Sequence, residues 1–355
     1  MLKLSVFNPE HDEAMVYNRR HFSPSKAAVN LRRDVGPDIC SLEWIESRWG
    51  DDCSRFHACQ PSWPLVWGWD MAVKQELLDK GVPESALPTD AQIDNIRTLS
   101  HRRTAIEVLR NIRAEDASCS HEFSRSEGGH GSCPLVGEAW EVRDYGMLAS
   151  LLDIHRNIVV KAPWSGSGRG LCFLYDNVIT PQQCGWIKNV LKRQGSVVVE
   201  PLYNKSADFA IEYICNDGGV VAYLGLSLFE TVHGAYSSNV IATEPVKRGM
   251  LVNRMRAYDE NADATIIDCV AHMVADSLTK TLNGRYIGPL GVDMMLVRSG
   301  EGRLAIHPCV EVNLRCTMGH VALALAPEHD DVTGTMTIGY EDNRFKLNIE
   351  YKYNN

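Results

Sequence analysis

This sequence lacks several features, and each absence removes a class of protein. No apolar run approaches the ~20 residues of a membrane-spanning helix, so no membrane partner is expected. The opening run, Met1-Leu2-Lys3-Leu4-Ser5-Val6-Phe7, is too short for the apolar core of a signal peptide and gives way to charge. Basic charge is not in excess. The formal net charge of -9 argues against a non-specific nucleic-acid binder, while leaving room for a local basic pocket. The 11 cysteines contain no Cys-x-x-Cys pair. An odd number at irregular spacing, with no export signal, reads as reduced thiols of a cytoplasmic protein, mostly buried as small apolar groups. No internal repeat is present.

What remains is ordinary globular material. The 355 residues are 45% hydrophobic and 23% charged, enough to bury a sizeable core in two or three lobes. Residues 1 to about 95 read as irregular and rich in Trp and Pro, with a helix expected from Met71 to Lys80. A second helix is expected from Arg102 to Arg113, where Ile106, Leu109, Arg110 and Arg113 follow helical spacing. Residues 115–138 are polar and Gly-rich and read as a loop or insertion. From Ile158 the pattern sharpens. Strands are expected at Ile158–Lys161, Leu171–Leu174, Ser196–Leu202, Phe209–Ile214 and Val220–Phe229. Helices are expected at Pro181–Gln194, which begins on a proline that needs no N–H there, and at Ala262–Leu282. The tail from Thr335 to Tyr353 alternates around Glu341-Asp342-Asn343 like a hairpin.

Three motifs carry chemistry. Gly291-Val292-Asp293-Met294-Met295-Leu296 and Val310-Glu311-Val312-Asn313-Leu314-Arg315 are apolar, strand-like runs with acid or amide side chains at alternate positions. Alternation puts Glu311, Asn313 and Arg315 on one face and Val310, Val312 and Leu314 on the other. Oxygen ligands suit Mg²⁺, and Arg offers a donor fork to phosphate or carboxylate. A solvated sheet face with an internal salt bridge is the plain alternative, but Asn is depleted in strands. The second motif is the loop Pro163-Trp164-Ser165-Gly166-Ser167-Gly168-Arg169-Gly170 between two strands, with Lys161 before it. Its backbone amides suit phosphate, although it is neither the P-loop nor the dinucleotide pattern; a surface hairpin is the alternative. The third is Val197-Val198-Val199-Glu200-Pro201-Leu202 followed by Asp208, a strand end suited to an adenine edge and a ribose, or a plain strand end with solvated acids.

The ordered set, covering roughly Leu99 to Met318, resembles the ATP-grasp superfamily. Glu311-Val312-Asn313-Leu314-Arg315 looks like the Glu-x-Asn-x-Arg of the biotin carboxylase and carbamoyl phosphate synthetase branch. Gly291-Val292-Asp293 looks like the matching strand of D-alanine–D-alanine ligases. The resemblance implies an α/β (α+β) fold with two lobes clasping ATP. The expected division is an N-terminal substrate-binding lobe at 1–95, a central subdomain at 96–200, and a C-terminal subdomain at 201–355 that holds the metal.

Carried over by position, the resemblance implies two Mg²⁺ ions, with Mn²⁺ as a substitute. Asp293 and Glu311 would hold one, Glu311 and Asn313 the other. Lys161 would contact ATP phosphate or adenine, and Ser165, Gly166, Ser167, Gly168, Arg169 and Gly170 would close over the phosphates. Glu200 and the Leu202 backbone would lie along adenine, and Asp208 near ribose. Arg315 would bind the acyl phosphate or the acid substrate. The family's second phosphate lysine is replaced here by Arg102 or Arg103, its ribose Glu by the shorter Asp208, and an Arg before the metal Asp by Gly291; a phosphate lysine after the third strand would be Lys247. The implied activity is ATP-dependent ligation of a small-molecule carboxylate to an amine, by way of an acyl phosphate, in a chain that forms a homodimer. A small-molecule kinase of the same fold and a non-catalytic nucleotide-binding regulator stand as alternatives.

Three further segments stay open. Cys119, His121, His130 and Cys133 flank the Gly-rich insertion, but their spacing matches no strong zinc pattern. Asn8-Pro9-Glu10-His11-Asp12 reads equally as a substrate loop or a capped turn. His233–Asn239 reads as a polar loop, either lining the acid pocket or simply connecting.

Overall fold

The computed structural model describes residues 4–42, 63–119, 134–166, 170–232, 234–298 and 304–353. Two antiparallel sheets organise them. The smaller contains β1 (Trp140–Val142), β2 (Ile158–Lys161), β3 (Leu171–Leu174) and β4 (Val197–Pro201), in the order β1-β4-β2-β3. The larger contains β5 (Lys205–Cys215), β6 (Val221–Val232), β7 (Ala235–Ile241), β8 (Gly288–Arg298), β9 (Leu304–Asn313), β10 (Val332–Glu341) and β11 (Arg344–Tyr353). Its order is β11-β10-β7-β6-β5-β8-β9. The class is mixed α/β, as expected, with its sheets antiparallel throughout.

The N-terminal region is not irregular. Among its described residues it forms α1 (His11–Tyr17), α2 (Lys26–Ser41), α3 (Met71–Asp79) and α4 (Asp90–Leu99). Local caps start three of them. Ser25 accepts from the Ala28 N–H, Asp70 from Ala72 and Val73, and Thr89 makes a capping box with Gln92. The run at Leu4–Phe7 is not a regular strand; Val6 makes one isolated parallel bridge to Val66.

Alternation decides which face of each strand is core. On β5, Phe209, Ile211 and Tyr213 are buried with Val292, Met294 and Val312 against two helices, α5 (Arg103–Cys119) and the helix Ala264–Leu282. Tyr213 donates its hydroxyl to the Ala271 carbonyl of that second helix at 3.0 Å. On the smaller sheet, Ile158, Val160, Val197 and Val199 pack against α6 (Tyr145–His155) and α7 (Pro181–Gln194). The helices that follow are α8 (Glu244–Arg256), α9 (Ala264–Leu282) and α10 (Met318–Ala324). A third apolar cluster joins Phe7, Ile39 and Trp67 of the N-terminal region to Ile241, Val321 and Met336.

Two sequence expectations are corrected here. Residues 235–239 are not a loop, because β7 runs through them and pairs with β6 on one side and β10 on the other. Ladder hydrogen bonds on both edges outweigh the poor strand preference of Ser237, Ser238 and Asn239. Arg315 does not continue the strand of Glu311, since β9 ends at Asn313 and the chain then bends. The tail hairpin turns on Asp342 and Asn343, both with positive φ, as a two-residue turn requires. Among the described residues no helix is long and apolar enough to cross a membrane.

Candidate functional site

Register builds the floor of the site. β8 and β9 pair so that Asp293 stands opposite Glu311, and Gly291 opposite Asn313. On the other side of β8, Ala210 faces Asp293 and Glu212 faces Gly291. Because side chains alternate, Asp208, Glu212, Asp293, Glu311 and Asn313 all emerge on the face turned away from the α5–α9 core. Burial, then the charges of Glu311 and Glu212, push the Asp293 carboxyl above the usual carboxylate range, with Arg315 opposing. Among the described residues no three His, Cys, Asp or Glu side chains gather as a metal cage. Two carboxylates and an amide form an all-oxygen set, and that fits Mg²⁺, which takes one or two carboxylates and completes its shell with water and phosphate oxygens.

Glu212 escaped the sequence reading. It is buried, and its carboxylate is wedged between two glycines. A Cβ at Gly291 would lie 2.5 Å from one oxygen, and a Cβ at Gly319 would lie 1.8 Å from the other. His320 Nδ1 sits 2.9 Å from it, and also 3.0 Å from the Thr317 hydroxyl that caps α10. The available signal was the same-face spacing Asp208-x-Ala210-x-Glu212. A single acid in an otherwise apolar strand does not announce itself.

The smaller sheet supplies the opposite wall. Lys161 and Glu200 pair at 2.6 Å, with side chains 5% and 4% exposed. Lys161 also donates to the Val310 carbonyl at 3.4 Å, next to Glu311, where the two sheets meet. His307, on the floor side of β9, packs edge-on against Tyr203, and neither ring nitrogen has a hydrogen-bond partner among the described residues. Burial, then the charges of Lys161 and Arg113, push it down to about 3. The Leu202 N–H donates to the Asn157 carbonyl at 2.9 Å and is not free for a ligand. Asp208 accepts from Lys205 at 2.5 Å and from Thr231 at 2.7 Å.

Of the two candidate arginines, Arg102 reaches the site. It donates to the carbonyls of Ala162 and Ser165, each at 3.0 Å, and pairs with Glu311 at 2.8 Å. Arg103 lies instead toward His101 and Glu141, whose titration it shifts. Lys247, on α8, is buried against the Leu226 carbonyl and Glu244. Arg315 reaches the site from beyond the strand and places two nitrogens on Asp12, at 3.1 and 3.4 Å. Burial works against the Asp12 charge, but Arg315, His11 and Arg102 together outweigh it and hold the carboxyl below its usual range.

The Asn8–Asp12 segment is anchored at both ends by side-chain contacts. Asn8 and His11 tie it to Asp70, while Asp12 turns to Arg315. Asp12 also packs on the glycine loop, and a Cβ at Gly166 would lie 1.9 Å from its carboxylate. Ser165, Gly166 and Gly170 border this point. Ser167, Gly168 and Arg169 lie outside the described residues, as do His121, His130, Cys133, His233 and the side chain of Cys119.

No protein-family model and no curated protein matches the sequence. Solved structures do resemble it. N5-carboxyaminoimidazole synthetase from Staphylococcus aureus, complexed with ADP, matches 96% of this chain and 84% of its own at 12% identity, with a TM-score of 0.46. The biotin carboxylase domain of the Hydrogenobacter thermophilus 2-oxoglutarate carboxylase, in complex with MgADP, ADP and bicarbonate, matches 70% at 11% identity and a TM-score of 0.43. The chain spans about half of that protein, 52%. A biotin carboxylase from Campylobacter jejuni in an ATP complex matches 76% at 11% identity and a TM-score of 0.44. These are likenesses of chain trace; the chemistry of the site rests on its own residues. In its mixed α/β fold the chain is similar to these solved structures.

Proposed function

We propose that the protein is an ATP- and Mg²⁺-dependent ligase that activates a carboxylate as an acyl phosphate for attack by an amine. The observation that carries this reading is the in-register Asp293–Glu311 pair, with Asn313 on the same face, opposite Lys161 of the other sheet. In this reading Asp293, Glu311 and Asn313 hold the metal. Lys161 and Glu200 line the nucleotide side, with Val159 and Val198 beside them on the same face of the smaller sheet. Arg102, already on Glu311, lies close enough to neutralise phosphate charge. Arg315, with its fork on Asp12, adds positive charge beside the floor. Mg²⁺, when bound, supplies neutralisation of the charge that develops on the transferred phosphoryl group. The chain's residues supply positioning, which phosphoryl transfer needs above all.

Equilibrium binding of Mg-ATP to the full chain tests this. Wild type is expected to bind with a Kd below about 1 mM, as nucleotide-dependent enzymes commonly do. Asp293→Ala with Glu311→Ala should lose the Mg²⁺-dependent part of that binding, and turnover should fall by about 10³ or more. An absence of binding by wild type, or unchanged binding and turnover in the double variant, overturns the reading. Release of inorganic phosphate along with ADP marks a ligase; ADP alone, with a phosphorylated product, marks a kinase.

A further inference from the structure

Asp12 stands where separate parts of the site meet. Its carboxylate takes two nitrogens of Arg315, at 3.1 and 3.4 Å. The same carboxylate lies on the glycine loop, so close that a Cβ at Gly166 would be 1.9 Å from Oδ2. Next to Gly166, the Ser165 carbonyl accepts from Arg102 at 3.0 Å, and Arg102 pairs in turn with Glu311 at 2.8 Å. Asp12 is thereby linked through the glycine loop and Arg102 to the proposed metal floor. It is not sealed. Its side chain is 27% exposed, and with Ser165 and Gly166 it lines a cavity of about 400 Å³.

The charges around Asp12 suit a nucleophile. A carboxylate near ATP is repelled by the phosphates unless cations offset that repulsion. Asp12 carries Arg315 directly, with Arg102 one contact beyond the loop. Burial opposes its charge, yet Arg315, His11 and Arg102 together keep it ionised, as an attacking carboxylate must be. A strut between Arg315 and the N-terminal region accounts for the ion pair alone. It does not account for a carboxylate left open to a cavity and set on a loop whose glycines suit phosphate.

We propose that Asp12 is a phosphoryl acceptor: the γ-phosphoryl group of Mg-ATP passes first to Asp12, and from there to the carboxylate of the small-molecule substrate. This rests on the ligase reading above and adds a covalent half-reaction to it. In the first step an Asp12 carboxylate oxygen bonds to the γ-phosphorus. The bond from that phosphorus to the β,γ-bridging oxygen breaks, and ADP leaves with the electron pair. In the second step a carboxylate oxygen of the acid attacks the same phosphorus from the side that ADP has vacated, and Asp12 leaves as a carboxylate. Neither step moves a proton. The aspartyl phosphate and the acyl phosphate are both mixed anhydrides of a carboxylic acid and phosphoric acid. Transfer between them is therefore nearly thermoneutral, and the acid keeps the activation that ATP supplied. Arg315, already on Asp12, holds the transferred group.

Isotope exchange between ADP and ATP reads the first step alone and needs neither acid nor amine. The full chain with Mg²⁺, ATP and radiolabelled ADP is expected to carry label into ATP. A ligase whose acid takes the phosphoryl group directly from ATP shows no exchange until the acid is added. Asp12→Asn should lower the exchange rate by about 10³ or more. Wild type quenched in acid after exposure to γ-labelled Mg-ATP should carry one phosphoryl group that hydroxylamine strips, and peptide mass spectrometry should place it on Asp12. These wild-type measurements stand by themselves if Asp12→Asn does not fold. Binding of a non-hydrolysable Mg-ATP analogue with neither exchange nor label overturns the inference and leaves the ligase reading standing. So does exchange that survives Asp12→Asn, or a label on another residue. Failure of wild type to bind the Mg-ATP analogue overturns the ligase reading itself.

Discussion

The two walls of the cleft treat charge in opposite ways. On the smaller sheet, Lys161 and Glu200 are buried as a matched pair 2.6 Å apart. On the larger sheet, Asp293 faces Glu311 with Glu212 one strand away, and Arg102 reaches only Glu311. One wall is neutral by itself. On the other, burial and the neighbouring Glu311 and Glu212 hold the Asp293 carboxyl above its usual range against Arg315.

The largest stability effect should come from breaking the matched wall. Lys161→Ala leaves the Glu200 carboxylate buried without its partner and is expected to cost about 3–5 kcal/mol in urea unfolding. Lys161→Met with Glu200→Gln removes both charges and should recover most of that loss. If the double variant is no better than the single one, the wall is not held by pairing.

The wall of the larger sheet should respond with the opposite sign. The folded pKa of Asp293 is raised, so the folded state holds its proton to higher pH than the unfolded chain does. The stability this group contributes is complete below its ordinary range and is lost as pH rises. Asp293→Asn should therefore stabilise the metal-free protein at pH 8 by about 1–2 kcal/mol, and by less at pH 5. Millimolar Mg²⁺ should stabilise wild type and leave the variant unchanged. An equal effect of Asp293→Asn at both pH values would mean that the Asp293 carboxyl titrates normally.

The smallest effect tests the point where the walls meet. His307 is depressed to about 3, so its neutral form is favoured on folding. Its contribution is complete above its ordinary value near 6.5 and is lost as pH falls toward the folded value. Wild type should lose about 1 kcal/mol more than His307→Leu between pH 7 and pH 5, read from urea midpoints. Parallel losses would mean that His307 is hydrated and titrates normally.

Part of this was legible in the sequence. Strands β2 and β3 and helix α7 fall on their expected residues, because each has a clean period and a clear stop, such as the Thr180-Pro181 start and Gly195 end of α7. Asp293, Glu311 and Asn313 could be placed on strand faces by alternation alone. The N-terminal helices were hidden, since α2 is polar on average and carries Pro37 within it, and its apolar face is small. The choice between Arg102 and Arg103 turned on one residue of helix phase, which periodicity resolves poorly at a helix start.

The sequence determined what each strand could show on each face, since the two-residue repeat is a property of the backbone and needs no partner. It also determined where oxygen ligands, glycines and basic groups stood in order. Only the tertiary structure decided which of them meet. The opposition of Asp293 and Glu311 depends on the β8–β9 register and the irregularity beside it. The pairing of Arg315 with Asp12 closes a separation of 303 residues. The lodging of Glu212 between Gly291 and Gly319 requires three elements to converge. Such contacts are fixed by packing and chain closure, and those act between segments whose distance along the chain carries no record of their distance in space.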